Sequence, residues 1–118
     1  MNEEFDQAWE FLGPSVKRSG EHTKASVLLA LGRGTRKLWL NDKCAVITEI
    51  VKYPSGLVVG NMWLGGGELQ AILALFPEME AWMKSYGAVE SRINGRRGWL
   101  PVTGYTEFRT AIKKDLDV

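Results

Sequence analysis

One carboxylate lies in a strand-like segment that is otherwise apolar. Residues 44–53 alternate so that Glu49 shares one side with aliphatic residues and a tyrosine, while the other side is also largely apolar. Apolar neighbours desolvate a carboxylate and make it a better proton acceptor, as a general base working near neutral pH requires. Glu49 is therefore the candidate catalytic base. The alternative is a structural ion pair with Arg92 or Arg109 on a neighbouring strand.

A basic turn and one tryptophan are the candidate partner-binding residues. Arg96 and Arg97 precede Trp99, and guanidinium groups with an indole can bind a phosphate or stack on a base. The alternative is a solvated turn that neutralises acidic residues of the preceding helix. Trp82 lies about one turn away from the apolar stripe of its helix, so we expect it at a surface that docks a partner.

The single histidine and the single cysteine offer little chemistry. His22 begins a helical segment among polar residues, and we expect it at the surface. Cys44 opens an apolar strand and is expected to be a buried, inert thiol. Neither residue has neighbours at metal-ligand spacing. The sequence therefore predicts no metal site, no internal disulfide and no nucleophilic mechanism based on these two side chains.

Composition indicates one globular domain spanning 1–118. Hydrophobic residues make up 45% and charged residues 25%, and fifteen basic against fourteen acidic residues give a formal charge of +1. Such a balance disfavours nucleic acid as a partner, although Arg33, Arg36, Lys37 and the turn at 96–97 are a weak alternative. The chain shows no leader and no apolar run near 20 residues. A cytoplasmic protein without membrane contact is expected, and homo-oligomers stay open.

The elements that must position these residues follow from apolar periodicity and turn residues. An amphipathic helix over 5–12 should end at Gly13 and Pro14, and a long helical segment over 69–86 should kink or restart at Pro77. The remaining predicted elements are a helix at 21–31 and strands at 38–40, 44–53, 57–64, 88–94 and 106–112. The first three strands should form an antiparallel meander with the second in the centre.

This order, together with several motifs, resembles the GNAT-like (N-acetyltransferase-fold) proteins of tailed phages and prophages. The motifs are the run 45–54, Trp63-Leu64-Gly65-Gly66-Gly67, the run 77–82, the run 94–99 and Gly104-Tyr105. The resemblance implies an α/β (α+β) fold with a mixed, mostly antiparallel sheet flanked by helices, in which the family's short first strand is missing or unrecognised.

The resemblance also implies an activity: acetyl-CoA-dependent N-acetylation of an unknown amine. In the family, acetyl-CoA lies between the fourth and fifth strands, and its pyrophosphate is bound at the start of the long helix. Glu49 would activate the amine through a water molecule. The coenzyme would contact the main chain of Val59, Met62 and Leu64 through its thioester and pantetheine, and of Gly65, Gly66 and Gly67 through its pyrophosphate.

Two departures from the family pattern support a different role. The glycine loop lacks the family's leading Arg or Gln and is followed by Glu68, whose charge opposes a phosphate. The region where the family has an acid tyrosine holds Trp99, and the next tyrosine is Tyr105, which resembles a structural aromatic of the family. The alternative is thus a catalytically inactive member that binds a protein partner in the host cell or in the virion.

Overall fold

The computed structural model describes residues 3–93, 103–109 and 111–116. The elements in chain order are α1 (Glu3–Ser19), α2 (Lys24–Leu31), β1 (Arg36–Leu40), β2 (Cys44–Lys52), β3 (Val58–Gly67), α3 (Leu69–Ser85) and β4 (Ser91–Ile93). The strands form a sheet of order β1-β2-β3-β4. The first three are antiparallel, and β4 is parallel to β3. The expected mixed, mostly antiparallel sheet flanked by helices is confirmed.

Two apolar layers hold the helices against opposite faces of the sheet. On one face α1 and α2 pack on β2 through Leu12, Val16, Val27 and Ile47, which are almost completely buried. On the other face the apolar stripe of α3 packs on Val46, Met62 and their neighbours. Strand β2 therefore lies in the interior of the sheet and is covered on both sides, as its apolar pattern predicts.

Both prolines that were expected to end or interrupt helices lie inside them. Pro14 is within α1 and Pro77 is within α3, so the predicted end at 13–14 is wrong, and at 77 the helix does not restart. Each proline removes one backbone hydrogen bond. The helices continue because the residues beyond each proline are buried in the core, Val16 after Pro14 and Met79 after Pro77, and tertiary burial overrides local propensity.

The predicted strands differ from the observed ones at their ends. Strand β3 continues through Gly67, where a turn was expected, and β4 covers 91–93 within the predicted 88–94, whose last residue lies outside the described part of the chain. The predicted last strand, 106–112, is wrong for its described residues, 106–109 and 111–112, which form no strand. The apolar residues that alternate in this segment do not pack in the core, because Phe108 and Ile112 are exposed.

Tyr105 fastens the segment 103–109 to the body of the protein. Its ring lies 5.7 Å from that of Phe76, and its hydroxyl lies 2.7 Å from both Glu80 Oε2 and Ser91 Oγ. Since the phenol has one proton, it donates to the carboxylate and accepts from the serine. Burial raises the pKa of Tyr105 above its usual value, and Glu80 raises it further while the bond from Ser91 lowers it.

The raised pKa of Tyr105 predicts alkaline destabilisation. The unfolded chain releases the phenolic proton from about pH 10 upward, whereas the folded chain retains it, so the free energy of unfolding should fall as pH rises above about 10. Urea unfolding at pH 8 to 11 measures this slope. Tyr105→Phe should remove part of the slope, and Tyr86→Phe is the matched control because Tyr86 is 48% exposed. Equal slopes in all three proteins would contradict the prediction.

No helix in the described ranges is both long enough and apolar enough to cross a membrane.

Candidate functional site at the diverging strands

A β-bulge at Trp63 changes the course of β3 at its middle. Ile47 of β2 pairs with Leu64, while the next residue, Thr48, pairs with Met62, so that Trp63 is an extra residue on β3. Trp63 and Leu64 both pack toward the α1 side of the sheet. A bulge of this kind bends and twists the strand that carries it. It lies next to Met62, the last residue of β3 that pairs with β4 in the described chain.

Strands β3 and β4 pair from Gly60 with Ser91 to Met62 with Ile93 in the described part of the chain, and β3 continues to Gly67. Among the described residues, a cleft of about 910 Å³ lies beside the end of β3. Its walls are α1, the loop before α2 and the first turn of α3. The cleft therefore lies along β3 beyond its described pairing with β4.

The ladder alternation shows where the backbone amides of the glycine run point. The amide of Glu68 donates to Lys43 O at 3.0 Å, which fixes the hydrogen-bonded pairs between β2 and the end of β3. Because such pairs alternate, Gly66 exchanges hydrogen bonds with Ala45, while Gly65 and Gly67 direct their amides away from β2. Two of the three glycine amides therefore point toward the cleft, and the third is used by the sheet.

The three glycines differ in what an added Cβ would meet. A Cβ on Gly66 would overlap the carbonyl of Phe11 in α1, and a Cβ on Gly67, whose φ is +112°, would overlap the backbone at Lys43. A Cβ on Gly65 would meet nothing closer than 3.8 Å. Helix packing and backbone conformation thus explain Gly66 and Gly67. A side chain at Gly65 would have free space, with Val46 and Ala45 as its nearest neighbours.

The N-terminus of α3 borders the same cleft. Its N-cap residue, Glu68, makes no side-chain capping bond, and the first backbone bond of the helix is donated by Ile72 to Glu68 O at 3.1 Å. The amides of residues 69–71 therefore lack intrahelical acceptors, as at any helix start. Leu69 and Ile72 line the cleft. This end of the cleft favours an anion through the helix dipole, and the Glu68 carboxylate opposes it.

Glu49, the predicted base, is engaged on both carboxylate oxygens. Oε1 accepts from Arg36 Nε at 3.2 Å, and Oε2 accepts from Asn61 Nδ2 at 2.8 Å. The ion-pair partner is Arg36 on β1, and the predicted partners Arg92 and Arg109 are wrong. Arg92 instead pairs with Glu90. Glu49 links β1, β2 and β3 on the α1 side of the sheet, with 16% of its side chain exposed.

Arg36 connects this carboxylate with α2 and with the bulge. Its Nη1 donates to Ala30 O at 3.0 Å and to Arg33 O at 2.7 Å, at the C-terminal end of α2. The guanidinium carbon also lies 5.4 Å from the centre of the Trp63 ring. Arg36 was not predicted as a partner of Glu49, although the cross-strand register of β1 against β2 places the two residues opposite each other.

His22 lies at the cleft, which sequence reasoning missed. Its ring is 5.2 Å from the Trp63 ring in an edge-to-face arrangement, and it lines the cleft together with Glu10, Arg18 and Glu21. The residue is exposed, as predicted. Nothing local in the sequence places it beside Trp63, because the contact arises only when the loop between α1 and α2 folds over the end of the sheet.

Of the other residues predicted to contact the coenzyme, Met62 and Leu64 line the cleft with the glycines. Val59 is buried and paired with Val51 of β2, and the ladder alternation directs its backbone groups toward that strand. Arg96 and Arg97 lie outside the described residues.

Trp82 is half-buried and belongs to an aromatic cluster away from the cleft. Its ring contacts the Trp39 ring edge-on at 6.4 Å and the Tyr86 ring at 5.3 Å. Lys37 Nζ lies 4.2 Å from the centre of the Trp39 ring. The indole of Trp82 is therefore less exposed than its position beside the apolar stripe suggested, because β1 packs against it.

Cys44 is buried at the start of β2, as expected, and burial raises the pKa of its thiol. Within the described ranges no group of three or more His, Cys, Asp or Glu side chains could hold a metal ion.

Comparison with known proteins points to one fold. No protein-family model and no curated protein sequence matches the chain. Among solved structures, aminoglycoside 6'-N-acetyltransferase AAC(6')-IG from Acinetobacter haemolyticus, in its apo form, matches with a TM-score of 0.57 and 14% identity over 83% of this chain and 84% of that one. Aminoglycoside acetyltransferase meta-AAC0020 from an uncultured soil metagenomic sample, in complex with sisomicin, matches with a TM-score of 0.65 and 10% identity over 98% of this chain and 88% of that one. From these structural matches, the chain has the GNAT-type N-acetyltransferase fold.

Proposed function

We propose that the protein is an acetyl-CoA-dependent N-acetyltransferase whose active site is the cleft between β3 and β4. One observation carries the proposal: among the described residues, the amides of Gly65 and Gly67 point away from β2 toward the cleft beside the end of β3. Backbone donors at a strand end and a helix start are suited to a phosphorylated ligand. The relatives that share the fold are acetyltransferases by name, which supports the same chemistry here.

The residues of the cleft fit acetyl-CoA in outline. The amide of Gly67 and the uncapped start of α3 would receive the pyrophosphate, and the backbone from Met62 to Gly65 would receive the pantetheine arm and the thioester. The free space beside Gly65 allows a ligand to approach the strand closely. Bound acetyl-CoA would supply the activated acetyl group. Glu68 weakens the phosphate site by its charge, so we expect affinity in the micromolar range or weaker.

The acceptor would enter from the α1 side of the cleft. Glu10 and Glu21 line that side, and carboxylates attract amines, which are cationic at neutral pH. One structural relative was solved with sisomicin, so we propose polyamine-like compounds such as aminoglycosides as the first acceptors to test. Thiol release from acetyl-CoA, followed with sisomicin, spermidine and a lysine-containing peptide, measures transfer to each class.

Calorimetric titration with acetyl-CoA tests the proposed site. The wild-type protein should bind, and Gly65→Val should weaken binding at least tenfold because its side chain would occupy the space beside β3, which corresponds to about 1.4 kcal/mol or more. Gly32→Ala is the matched control, since its Cβ would make only an ordinary contact at 3.6 Å at the end of α2. Absence of heat with millimolar acetyl-CoA, or unchanged affinity in Gly65→Val, would contradict the proposed site.

A non-catalytic role is the second candidate, and one observation favours it. Both oxygens of Glu49 are bonded within the protein, as in a purely structural carboxylate. In this role the protein would be a phage or prophage scaffold that binds a protein in the host cell or virion, and Arg96, Arg97 and Trp82 would contact the partner. If the wild-type protein gives no heat with acetyl-CoA and releases no thiol with any of the amines, these results would favour the non-catalytic role over the acetyltransferase.

A further inference from the structure

We propose that His22 is the catalytic proton acceptor of the acetyl transfer, with Nε2 as the atom that takes the proton from the acceptor amine. The inference rests on the proposed function and assigns one of its steps to a named atom. The geometry that carries it is the position of the imidazole at the cleft wall, in contact with the bulge residue Trp63.

The hydrogen bonds around Ser26 favour one tautomer of His22. Ser26 Oγ accepts from the Thr23 amide at 2.9 Å and lies 3.0 Å from Thr23 O, to which it can donate. His22 Nδ1 lies 3.3 Å from the same oxygen. If the Ser26 proton is given to Thr23 O, the contact with Nδ1 is a hydrogen bond when Nδ1 is the donor. The proposal therefore uses the tautomer with its proton on Nδ1 and its lone pair on Nε2.

Ser26 is itself held in place, so the orientation of the imidazole is built into the start of α2. Ser26 and Thr23 form a reciprocal capping box, in which the Ser26 amide donates to Thr23 Oγ1 at 3.1 Å. A capping box fixes both side chains against the helix start. The same contacts that begin α2 therefore favour one tautomer of the only histidine of the chain.

The position of the ring relative to the strands suits a proton transfer. Trp63 is the extra residue of the bulge, next to Met62, where the described pairing of β3 with β4 ends. The imidazole touches this indole from the α1 side, where the acceptor would enter. Histidine is the side chain whose ordinary charge change falls between pH 5 and 8. Glu49, by contrast, has both oxygens engaged by Arg36 and Asn61.

The step balances without any further reactant. The cationic amine first gives one proton to His22 Nε2, which passes it to solvent. The neutral amine nitrogen then bonds to the thioester carbonyl carbon, the carbon–sulfur bond breaks, and sulfur leaves with the electron pair as the thiolate of coenzyme A. The second proton lost by the nitrogen goes to the thiolate, so the products are the N-acetylated amine, coenzyme A and one proton.

The charged groups near the imidazole are Glu10 and Arg18 of α1, Glu21 in the preceding loop and Arg36 beside the Trp63 ring.

The first test is a spectroscopic one on the wild-type protein. Because the chain has one histidine, ¹⁵N-resolved NMR of the imidazole gives a single set of signals that reports the tautomer directly. When the imidazole is neutral, Nδ1 should appear protonated and Nε2 unprotonated. The opposite tautomer would overturn the proposal, whether or not the protein binds acetyl-CoA. Ser26→Ala should shift the tautomer toward a mixture, since it removes the oxygen that Nδ1 contacts.

The second test is kinetic and uses whichever of the three amines the wild-type protein acetylates fastest. His22→Asn keeps a donor that can reach Ser26 and removes the proton acceptor, so kcat should fall about 100-fold, with acetyl-CoA affinity by calorimetry within about threefold. Free imidazole should restore part of the rate. The acidic limb of the kcat/KM profile should vanish in His22→Asn and persist in Glu49→Gln.

The outcomes separate this proposal from the proposed function. Wild-type protein that neither binds acetyl-CoA nor releases thiol would refute the function itself. A wild-type protein that transfers acetyl groups, with His22→Asn equally fast, would refute only the role of His22. An acidic limb lost in Glu49→Gln and kept in His22→Asn would assign the proton to Glu49 instead.

Discussion

Gly66→Ala is expected to lower the free energy of unfolding by about 3 kcal/mol, because the new methyl group would occupy the position of the Phe11 carbonyl of α1. The obstacle is backbone, which cannot rotate away, so α1 would have to shift as a unit from the end of β3. Alanine also restricts the unfolded chain, which returns only about 0.4 to 1 kcal/mol. Chemical denaturation followed by tryptophan fluorescence measures the loss.

Gly65→Ala is the matched control for this prediction. It lies in the same strand, one residue away, and its Cβ would meet nothing closer than 3.8 Å. Its stability should stay within about 1 kcal/mol of the wild-type value. Equal losses at positions 65 and 66 would mean that α1 does not pack on β3 as described, and the α1 wall of the cleft would be misplaced.

Arg36→Met is expected to cost about 2 kcal/mol of stability. It leaves Glu49 with Asn61 as its remaining partner and takes a cation from the carbonyls at the end of α2. The pair is partly exposed, at 26% and 16% of the two side chains, so the loss should be smaller than the 3 to 5 kcal/mol typical of a fully buried pair. Thermal and urea unfolding measure it.

A double-mutant cycle isolates the interaction between Arg36 and Glu49. Glu49→Gln combined with Arg36→Met should destabilise less than the sum of the single variants, by about 1 kcal/mol. The control cycle uses Lys24 and Asp6, whose side chains are 49% and 64% exposed. An exposed pair of this kind should show a coupling below about 0.5 kcal/mol. Equal coupling in the two cycles would remove the structural role assigned to Glu49.

Much of the fold was predictable because its signals are local. The strand pattern of residues 44–53, apolar on both sides, predicted a covered central strand, and the turns at 41–42 and 54–56 predicted the meander. The helix predictions at Pro14 and Pro77 were inaccurate, because the local cost of each proline is outweighed by the burial of core residues that follow it in the helix. The end of β3 was missed because glycines suggest a turn, whereas Gly66 is required by the approach of α1.

The site was less predictable because its contacts are distant in sequence. Glu49 was recognised as an unusual carboxylate, but its partner depended on the register of β1 against β2, which places Arg36 opposite it. His22 was correctly predicted at the surface, yet its contact with Trp63 depends on how the loop after α1 folds over the sheet. The bulge itself has no sequence signature here, since it appears only as a shift in pairing between Ile47 and Thr48.

The strands of the sheet differ in how many residue pairs join them to their neighbours. Nine residue pairs join β2 to β3, whereas three join β3 to β4 in the described chain. The two apolar layers rest mainly on the meander, since α1 and α3 both pack on β2 and β3. Within the described chain, β4 is therefore the strand with the fewest ladder pairs and the one that we expect to open at the lowest cost in free energy.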